Sequence, residues 1–217
     1  MSDAEEEAGL RERKKQRTRR LITDTARRLF AERGFEQVSV TEVAKAADVS
    51  AGTVFNYFPT KEDLVYSGLE RFETELLQAV HDRGPGESVL AAFGRFVLTP
   101  RGLLAARDQG SAKQLLAVSH MIGSSPALLA REQQILARYT ESLARLLVAE
   151  TRASADDPRP AVTAAALIGV HRTLIDYVRR RILAGDHDIA RLAEDTHRYG
   201  ETALTHLQEG FGDYGRR

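Results

Sequence analysis

Apolar residues recur at helical spacing along nearly the whole chain, and this periodicity limits the possible fold more than any other feature. Alternating runs typical of β-strands are nearly absent, while glycine, proline and capping residues separate the periodic segments. Apolar residues make up 42% of the 217 residues, which is enough to bury a sizeable interior. We therefore predict an all-α protein.

Short helices in close order are predicted in the N-terminal part. Gly34 provides a stop for the first helix, Ser39 begins a capping-box pattern for the second, and Ser50 caps the third. Pro59 ends the third helix, and a fourth begins after it. The predicted bounds are about 17–33, 40–48, 51–58 and 61–81.

Longer helices are predicted after Gly86, because the segments of helical apolar spacing become longer there. Their approximate bounds are 88–98, 103–109, 111–122, 126–152, 160–184 and 188–209. This change in segment length predicts two domains, which we place at residues 11–65 and 66–217.

Charge is distributed unevenly, although the formal net charge is zero. Residues 11–20 carry seven basic side chains and one acidic one, whereas residues 1–10 carry a charge of −4. A basic segment in front of a neutral remainder is typical of a protein that binds nucleic acid with one end.

Composition and motifs exclude several classes of site. Cysteine is absent, which removes disulfides, thiolate zinc sites and a cysteine nucleophile. The histidines show no metal-ligand spacing, and we find no phosphate loop or nucleophile elbow, so we expect no metal, no cofactor and no enzymatic activity. The acidic N-terminus lacks an apolar signal segment, and the apolar run 161–170 is too short to span a bilayer. We expect a cytoplasmic protein without a membrane partner.

The second and third predicted helices form a helix-turn-helix. They are joined by residues 48–50, and the third helix begins with the small residues Ala51, Gly52 and Thr53. A small N-terminal face is what a helix needs to enter a major groove about 12 Å wide. On spacing alone, an ordinary helical hairpin remains an alternative.

The residues themselves favour the DNA-binding interpretation. The stretch from Thr18 to Val65 closely resembles the DNA-binding domain of the TetR family, especially in the segments ARRLF, ERGF and VSAGTVFNYFPTKEDL. The segments TVFNYFPTKEDLV and LTPRGLLAARDQG resemble mycofactocin-associated regulators within that family.

The resemblance implies a role in DNA binding for each matching position. Asn56 would hydrogen bond with a base in the major groove, and Lys61 would contact a phosphate at the start of the fourth helix. Phe55 stands where the family often has tyrosine. The implied DNA-binding set is Thr41, Ser50, Ala51, Gly52, Thr53, Phe55, Asn56, Tyr57 and Lys61.

The resemblance also implies a homodimer, formed by the last two long helices, on a double-stranded DNA operator. Ala161, Ala165 and Gly169 recur at intervals of four and permit close approach of helices. In the last helix, an apolar stripe is expected to continue this interface. It comprises Ile189, Leu192, Thr196, Ala203, Leu204 and Leu207.

A small-molecule inducer is expected among the middle helices, where polar residues interrupt apolar segments. The candidate ligand residues are Arg107, His120, Arg131, Gln134, Tyr139, His171 and Arg172. Apolar neighbours such as Leu104, Leu115 and Ile122 predict an apolar or acyl-bearing ligand. We expect it to release a repressor from its operator by tilting the fourth helix. An activator with the same helix-turn-helix and a helical adaptor that binds only protein are the alternatives.

Overall fold

The computed structural model describes residues 3–106 and 109–211, and within these ranges its regular structure is helical with no strand. The helices are α1 (Asp3–Arg33), α2 (Val40–Ala46), α3 (Ala51–Tyr57), α4 (Leu69–His81), α5 (Val89–Val97), α6 (Leu103–Ala106), α7 (Gln109–Ser124), α8 (Pro126–Thr151), α9 (Arg159–Leu183) and α10 (Ile189–Phe211). The all-α prediction is confirmed. The chain divides into two compact units, Met1–Gly68 and Leu69–Arg217.

The first unit packs α1, α2 and α3 around a small apolar core. Helix α1 contributes Ile22, Ala26 and Phe30, and their side chains are almost completely buried. Val43 of α2 and Val54 of α3 are fully buried in the same unit. Because Val54 is buried, the opposite face of the seven-residue helix α3 lies at the surface.

Local hydrogen bonds fix the ends of these short helices. Ser39 forms the predicted capping box with Glu42, and Ser50 accepts a hydrogen bond from the Thr53 amide at 3.0 Å. Gly34 adopts a φ of +82° directly after α1, a conformation that costs glycine little. The boundaries of α2 and α3 therefore follow from side chains within a few residues of them.

Helix α1 begins earlier than predicted, at Asp3 instead of about Arg17. The prediction relied on apolar periodicity, which the first turns lack. Ala, Glu, Lys and Arg dominate this segment, and their high helix propensity favours a helix without an apolar face. Contacts four residues apart, such as Arg13 Nε with the Gly9 carbonyl at 3.2 Å, accompany this extension.

The fourth predicted helix, 61–81, is not continuous, so that prediction was wrong. A short 3-10 turn covers Glu62–Leu64, and α4 begins only at Leu69. Between them the chain turns, and Gly68 adopts a φ of +106°. The residues of the expected cap, Thr60 and Asp63, do exchange hydrogen bonds through their amides and side chains, but only the 3-10 turn follows them.

The second unit is built around α9, which packs against α7, α8 and α10. Its interior contains large apolar side chains from several helices. The largest fully buried ones are Tyr139, Phe93, Leu76, Leu128, Leu143, Leu147, Leu167, Ile182 and Leu192.

Helix α9 is also the one helix in the described residues whose length and composition would allow it to cross a membrane. Nine of its residues are buried against the other helices of its unit, and Arg159, Arg172, Arg179, Arg180 and Arg181 lie along it. This combination is typical of a core helix in a globular domain.

Part of the apolar stripe expected to face a second subunit packs internally instead. Ile189 and Leu192 of α10 are buried in one cluster with Val178 and Ile182 of α9. Leu204 lies so close to Gly94 that an added Cβ there would be 2.8 Å from its methyl group. These residues serve the core of the unit, because α10 turns this face towards α5 and α9.

Candidate functional site

The turn between α2 and α3 holds the two helices in a defined geometry. Asp48 adopts a left-handed φ of +52°, which aspartate tolerates better than most residues. The Val49 amide then donates to the Ala44 carbonyl at 3.0 Å. Ala47 and Val54 are buried on either side of the turn. This arrangement is a helix-turn-helix with α3 in the second, recognition position.

The outer face of α3 is small at its start and carries an aromatic ring and an amide further along. Gly52 and Asn56 are exposed, and Phe55 keeps 49% of its surface exposed despite its size. Ala51, Thr53 and Tyr57 are half-buried at the edges of this face. The face can enter a groove and present one amide that donates and accepts hydrogen bonds.

Two hydroxyls in the expected DNA-binding set are already joined to each other. Ser50 Oγ lies 2.8 Å from Thr53 Oγ1 and also accepts from the Thr53 amide. Ser50 is therefore first a cap that starts α3. The Thr53 hydroxyl is held at the start of the helix.

Thr41 belongs to the first helix of this pair, and Lys61 follows the second helix in the chain. Thr41 is exposed in the first turn of α2. The Lys61 ammonium lies 4.2 Å from the centre of the Phe35 ring, within the range of a cation–π contact. Only a 3-10 turn follows Lys61, so the expected contribution of a long helix dipole to phosphate binding is absent. A phosphate contact at this position would depend on the positive charge of the Lys61 side chain.

The basic segment of α1, residues 11–20, contains one arginine that contacts the end of α3 and several basic side chains that face the solvent. Arg19 donates to the Tyr57 carbonyl at 3.2 Å and lies 4.7 Å from the Phe58 ring centre, so it joins α1 to the end of α3. The exposed members of the basic segment are Arg11, Arg13, Lys14, Lys15, Arg17 and Arg20.

Glu42 stabilises the start of α2 as a carboxylate. The Ser39 amide donates to it at 2.8 Å, and Arg33 forms an ion pair with it at 2.8 Å. These contacts, with the Ser39 amide the largest cause, lower the pKa of Glu42 to about 2. The negative charge belongs to the cap, beside a surface expected to meet phosphates.

A cavity of about 300 Å³ lies inside the second unit. Apolar side chains form most of its wall, including Leu104, Leu115, Val118, Ile122, Leu174 and Val178. Its volume is at the lower end of the range for small-molecule sites. The cavity can therefore hold a compact apolar molecule.

The polar groups at the cavity come from several helices. Glu132 of α8 and Arg179 of α9 form an ion pair at 2.6 Å, and both line the wall. His171 is half-buried, and its ring stacks on Phe72 at 4.7 Å between centroids. Burial lowers the pKa of His171 to about 4, so the imidazole is neutral near pH 7.

The structure brings few of the predicted ligand residues to this cavity. Of the set, His171 lines its wall. Tyr139 is buried behind it, stacked on Phe72 at 5.5 Å. Arg107 lies outside the described residues.

The structure does not bring the remaining candidates to this cavity, so their role in ligand binding stays a prediction. His120, Gln134 and Arg172 are exposed. Arg131 bonds with Gln134 at 3.0 Å, and Arg172 pairs with Asp176 at 3.8 Å. A polar residue in an apolar segment is a ligand candidate only when it lies on the same helical face as the apolar residues.

Ser119, Glu132, Arg179 and Phe72 line the cavity and were missed from the sequence. A signal for Ser119 was present, because Leu115, Ser119 and Ile122 fall on one face of α7 at spacings of four and three. The ion pair joins two helices and had no comparable signal. No cluster of three or more potential metal ligands occurs in the described part of the chain.

Comparison with known proteins agrees with this geometry. A sequence profile described as "Bacterial regulatory proteins, tetR family" matches residues 22–66, which contain α2 and α3. The HTH-type transcriptional regulator TcmR of Streptomyces glaucescens is 29% identical over 216 residues, covering 96% of this chain and 91% of that protein. The HTH-type transcriptional repressor Rv3405c of Mycobacterium tuberculosis is 35% identical over 74 residues, covering 34% of this chain and 39% of that protein.

The fold of the whole chain is similar to that of a solved regulator. The fatty acid degradation regulator FadR from Bacillus halodurans has a TM-score of 0.52 at 23% identity, covering 88% of this chain and 96% of that one. The relatives are named as regulators, in agreement with the expected absence of enzymatic activity. The chain is a DNA-binding helix-turn-helix transcriptional regulator: its residues 22–66 match the tetR-family profile, and nearly its whole length is similar to TcmR.

Proposed function

We propose that this regulator is a homodimeric repressor that reads a two-fold DNA operator with α3. The observation that supports this most is the exposed face of α3, with Gly52 in its first turn and Asn56 one turn later. Residues 11–65 are proposed as the DNA-binding domain, and residues 66–217 as the sensing and dimerising domain. The finer assignment to mycofactocin-associated regulators, and a cytoplasmic location, are part of the same proposal.

The contacts to DNA divide by chemistry. Asn56 would pair with a base edge, whereas Phe55 would make apolar contact in the groove. Ala51 and Gly52 would permit close approach. The proposed phosphate contacts are Thr41, Ser50, Thr53, Tyr57 and Lys61, supplemented by the exposed basic residues of α1.

Selection from random double-stranded DNA tests this assignment with the full-length protein. We expect enrichment of a sequence with two inverted half-sites whose centres are about 10 base pairs, or a multiple of that, apart. The same experiment with an Asn56→Ala variant should lose preference at one position in each half-site. Enrichment of no sequence, or of a single unrepeated site, would contradict the proposal.

Dimerisation is proposed through α9 and the outer face of α10. Ala161, Ala165 and Gly169 are exposed along α9, and Val162 keeps 51% of its surface exposed. A stripe of small residues allows two helix backbones to approach closely. A two-fold operator also requires a two-fold protein.

Release of DNA is proposed to follow binding of a small apolar or acyl-bearing molecule in the second unit's cavity. A ligand shifts the protein only if it binds the DNA-free conformation more tightly than the DNA-bound one, and DNA then weakens ligand binding by the same factor. The test measures the affinity of a candidate ligand with and without saturating operator. Equal affinities in the two cases would exclude that ligand as the inducer.

A further inference from the structure

The polar side chains that line the cavity of the second unit differ in whether they have partners. Most of them are already engaged by the protein. Those with partners are Thr99, Arg101, Glu132, Arg179, Thr196 and His197. Ser119 and His171 also line the cavity, and neither forms a hydrogen bond with another residue in the described part of the chain.

Ser119 and His171 lie on two helices that pack against each other, α7 and α9. Ser119 is only 4% exposed, and His171 is half-buried with one ring face against Phe72. A buried hydroxyl or imidazole without a partner is unfavourable, so such groups in native proteins usually mark a functional contact. Both side chains line the same cavity, so both are available to one bound molecule.

Charge at the cavity is compensated by the protein itself. Arg179 pairs with Glu132 at 2.6 Å, and Arg101 lies 3.6 Å from Glu75 while it stacks on Phe96. The low pKa of His171, about 4, keeps its imidazole uncharged near pH 7. A charged ligand would have to break one of these ion pairs or bury its charge without a partner.

We propose that the cavity binds an uncharged, mainly apolar molecule with one hydroxyl or carbonyl group, which hydrogen bonds to Ser119 and His171. This inference rests on the proposed ligand-responsive function and narrows it to a chemical class. Both anchors can donate or accept: the serine hydroxyl does both, and a neutral imidazole has one nitrogen of each kind. The anchor therefore suits an alcohol, a phenol or a ketone, whereas a carboxylate would have to compete with Glu132 or Glu75 for an arginine.

Three probes with one carbon skeleton separate the contributions of shape, hydrogen bonding and charge. They are naphthalene, 2-naphthol and 2-naphthoate, with binding to the full-length protein measured at pH 7 by the change in naphthyl fluorescence. We expect 2-naphthol to bind about three- to tenfold more tightly than naphthalene, as one net hydrogen bond provides. We expect 2-naphthoate to bind more weakly than naphthalene.

Matched variants then test the two anchors. Ser119→Ala and His171→Phe should each remove the preference for 2-naphthol and leave naphthalene affinity within about twofold, because the apolar wall and the stack on Phe72 remain. Ser124→Ala and His120→Phe are the controls, since both residues are exposed on the same helix, α7. These controls should retain the preference.

Specific results would overturn the inference. These are tightest binding by 2-naphthoate, equal affinities for the three probes, no binding by any of them, or a preference for 2-naphthol that survives both variants. The order of the three affinities in the unchanged protein tests the proposed chemical class of the ligand even if a variant fails to fold. A separate titration of 2-naphthol against the protein–DNA complex tests the proposed function. If 2-naphthol binds at Ser119 and His171 but does not affect DNA binding, the inference about the cavity is supported, and release of DNA by this probe is excluded.

Discussion

The ammonium group of Lys61 lies 4.2 Å from the centre of the Phe35 ring, which holds this side chain beside the recognition helix pair. Phe35 is buried and also packs edge-on against Phe30 at 5.2 Å, so the ring that supports Lys61 is itself fixed by the core of the first unit. A cation above a ring face retains donors for another partner. The contact therefore fixes the position of the charge that we propose to bind a phosphate.

Lys61→Ala should weaken binding to the operator and to random DNA alike, because a phosphate contact carries no sequence information. The slope of log affinity against log salt should decrease in magnitude by about 1, and Lys61→Arg should restore most of it. Affinities measured by fluorescence anisotropy at several salt concentrations test this, with Lys113→Ala in α7 as a control. An unchanged slope would show that Lys61 does not touch the backbone.

Asn56→Ala should act differently, by relaxing discrimination at one operator position. A bidentate contact with a base contributes about 1–3 kcal/mol of discrimination. Operator variants substituted at each position are compared for the altered and the unchanged protein. Gln37→Ala, an exposed amide outside α3, is the control. Equal losses on the operator and on random DNA would contradict base reading by Asn56.

The first unit shows what local sequence can predict. The starts of α2 and α3 follow from Ser39 and Ser50, whose hydroxyls accept hydrogen bonds from amides three residues ahead. The break at Gly68 was not predicted, because apolar spacing continues across it and no proline marks it. Helix α1 was placed too late because its first turns depend on propensity alone.

The cavity shows what local sequence cannot predict. Whether Arg131, Gln134 or His171 lies at its wall depends on how α8 and α9 rotate when they pack, and their sequence patterns alone do not settle that rotation. Arg179 and Glu132 are separated by 47 residues, and their contact exists only after those helices meet. A distant pair of this kind leaves no periodic signal.

Stability should depend on pH through His171. Burial lowers the pKa of His171 from 6.5 to about 4, so the folded protein favours the neutral ring. As pH falls from 6.5 towards 4, the unfolded chain takes up this proton first, and the free energy of unfolding decreases. In His171→Phe, the free energy of unfolding should fall less steeply with decreasing pH, by a slope that corresponds to about one bound proton. Urea unfolding at pH 7, 6 and 5 measures this slope. His120→Phe, at an exposed position, is the control, and equal curves for His171→Phe and the unchanged protein would contradict the prediction.

Arg83 and Glu150 form a buried ion pair between the end of α4 and α8, and their side chains are 2% and 9% exposed. Removing one partner leaves a buried charge uncompensated, so Arg83→Met and Glu150→Met should each lower the free energy of unfolding by about 3–5 kcal/mol. The double variant Arg83→Met with Glu150→Met should lose less than the sum of the two single changes. Chemical denaturation of all four proteins tests this, and additive losses would show that the pair is not coupled.

The proposed dimer face provides the last prediction. Ala165 and Gly169 are exposed on α9, and an added Cβ at Gly169 would meet no atom within 4 Å in one copy of the chain. Gly169→Glu therefore leaves the fold of a single copy free of clashes, but it places a charge and a long side chain on the face proposed to meet a second copy. We expect sedimentation to show a dimer for the unchanged protein and a monomer for Gly169→Glu, with unchanged helical circular dichroism. Operator affinity should fall because two linked recognition helices bind with a higher effective concentration than two separate ones. The variant Thr202→Glu distinguishes the two helices, because Thr202 is exposed on α10. If Thr202→Glu dissociates the dimer and Gly169→Glu does not, the subunits meet through α10, and the proposed role of α9 is wrong.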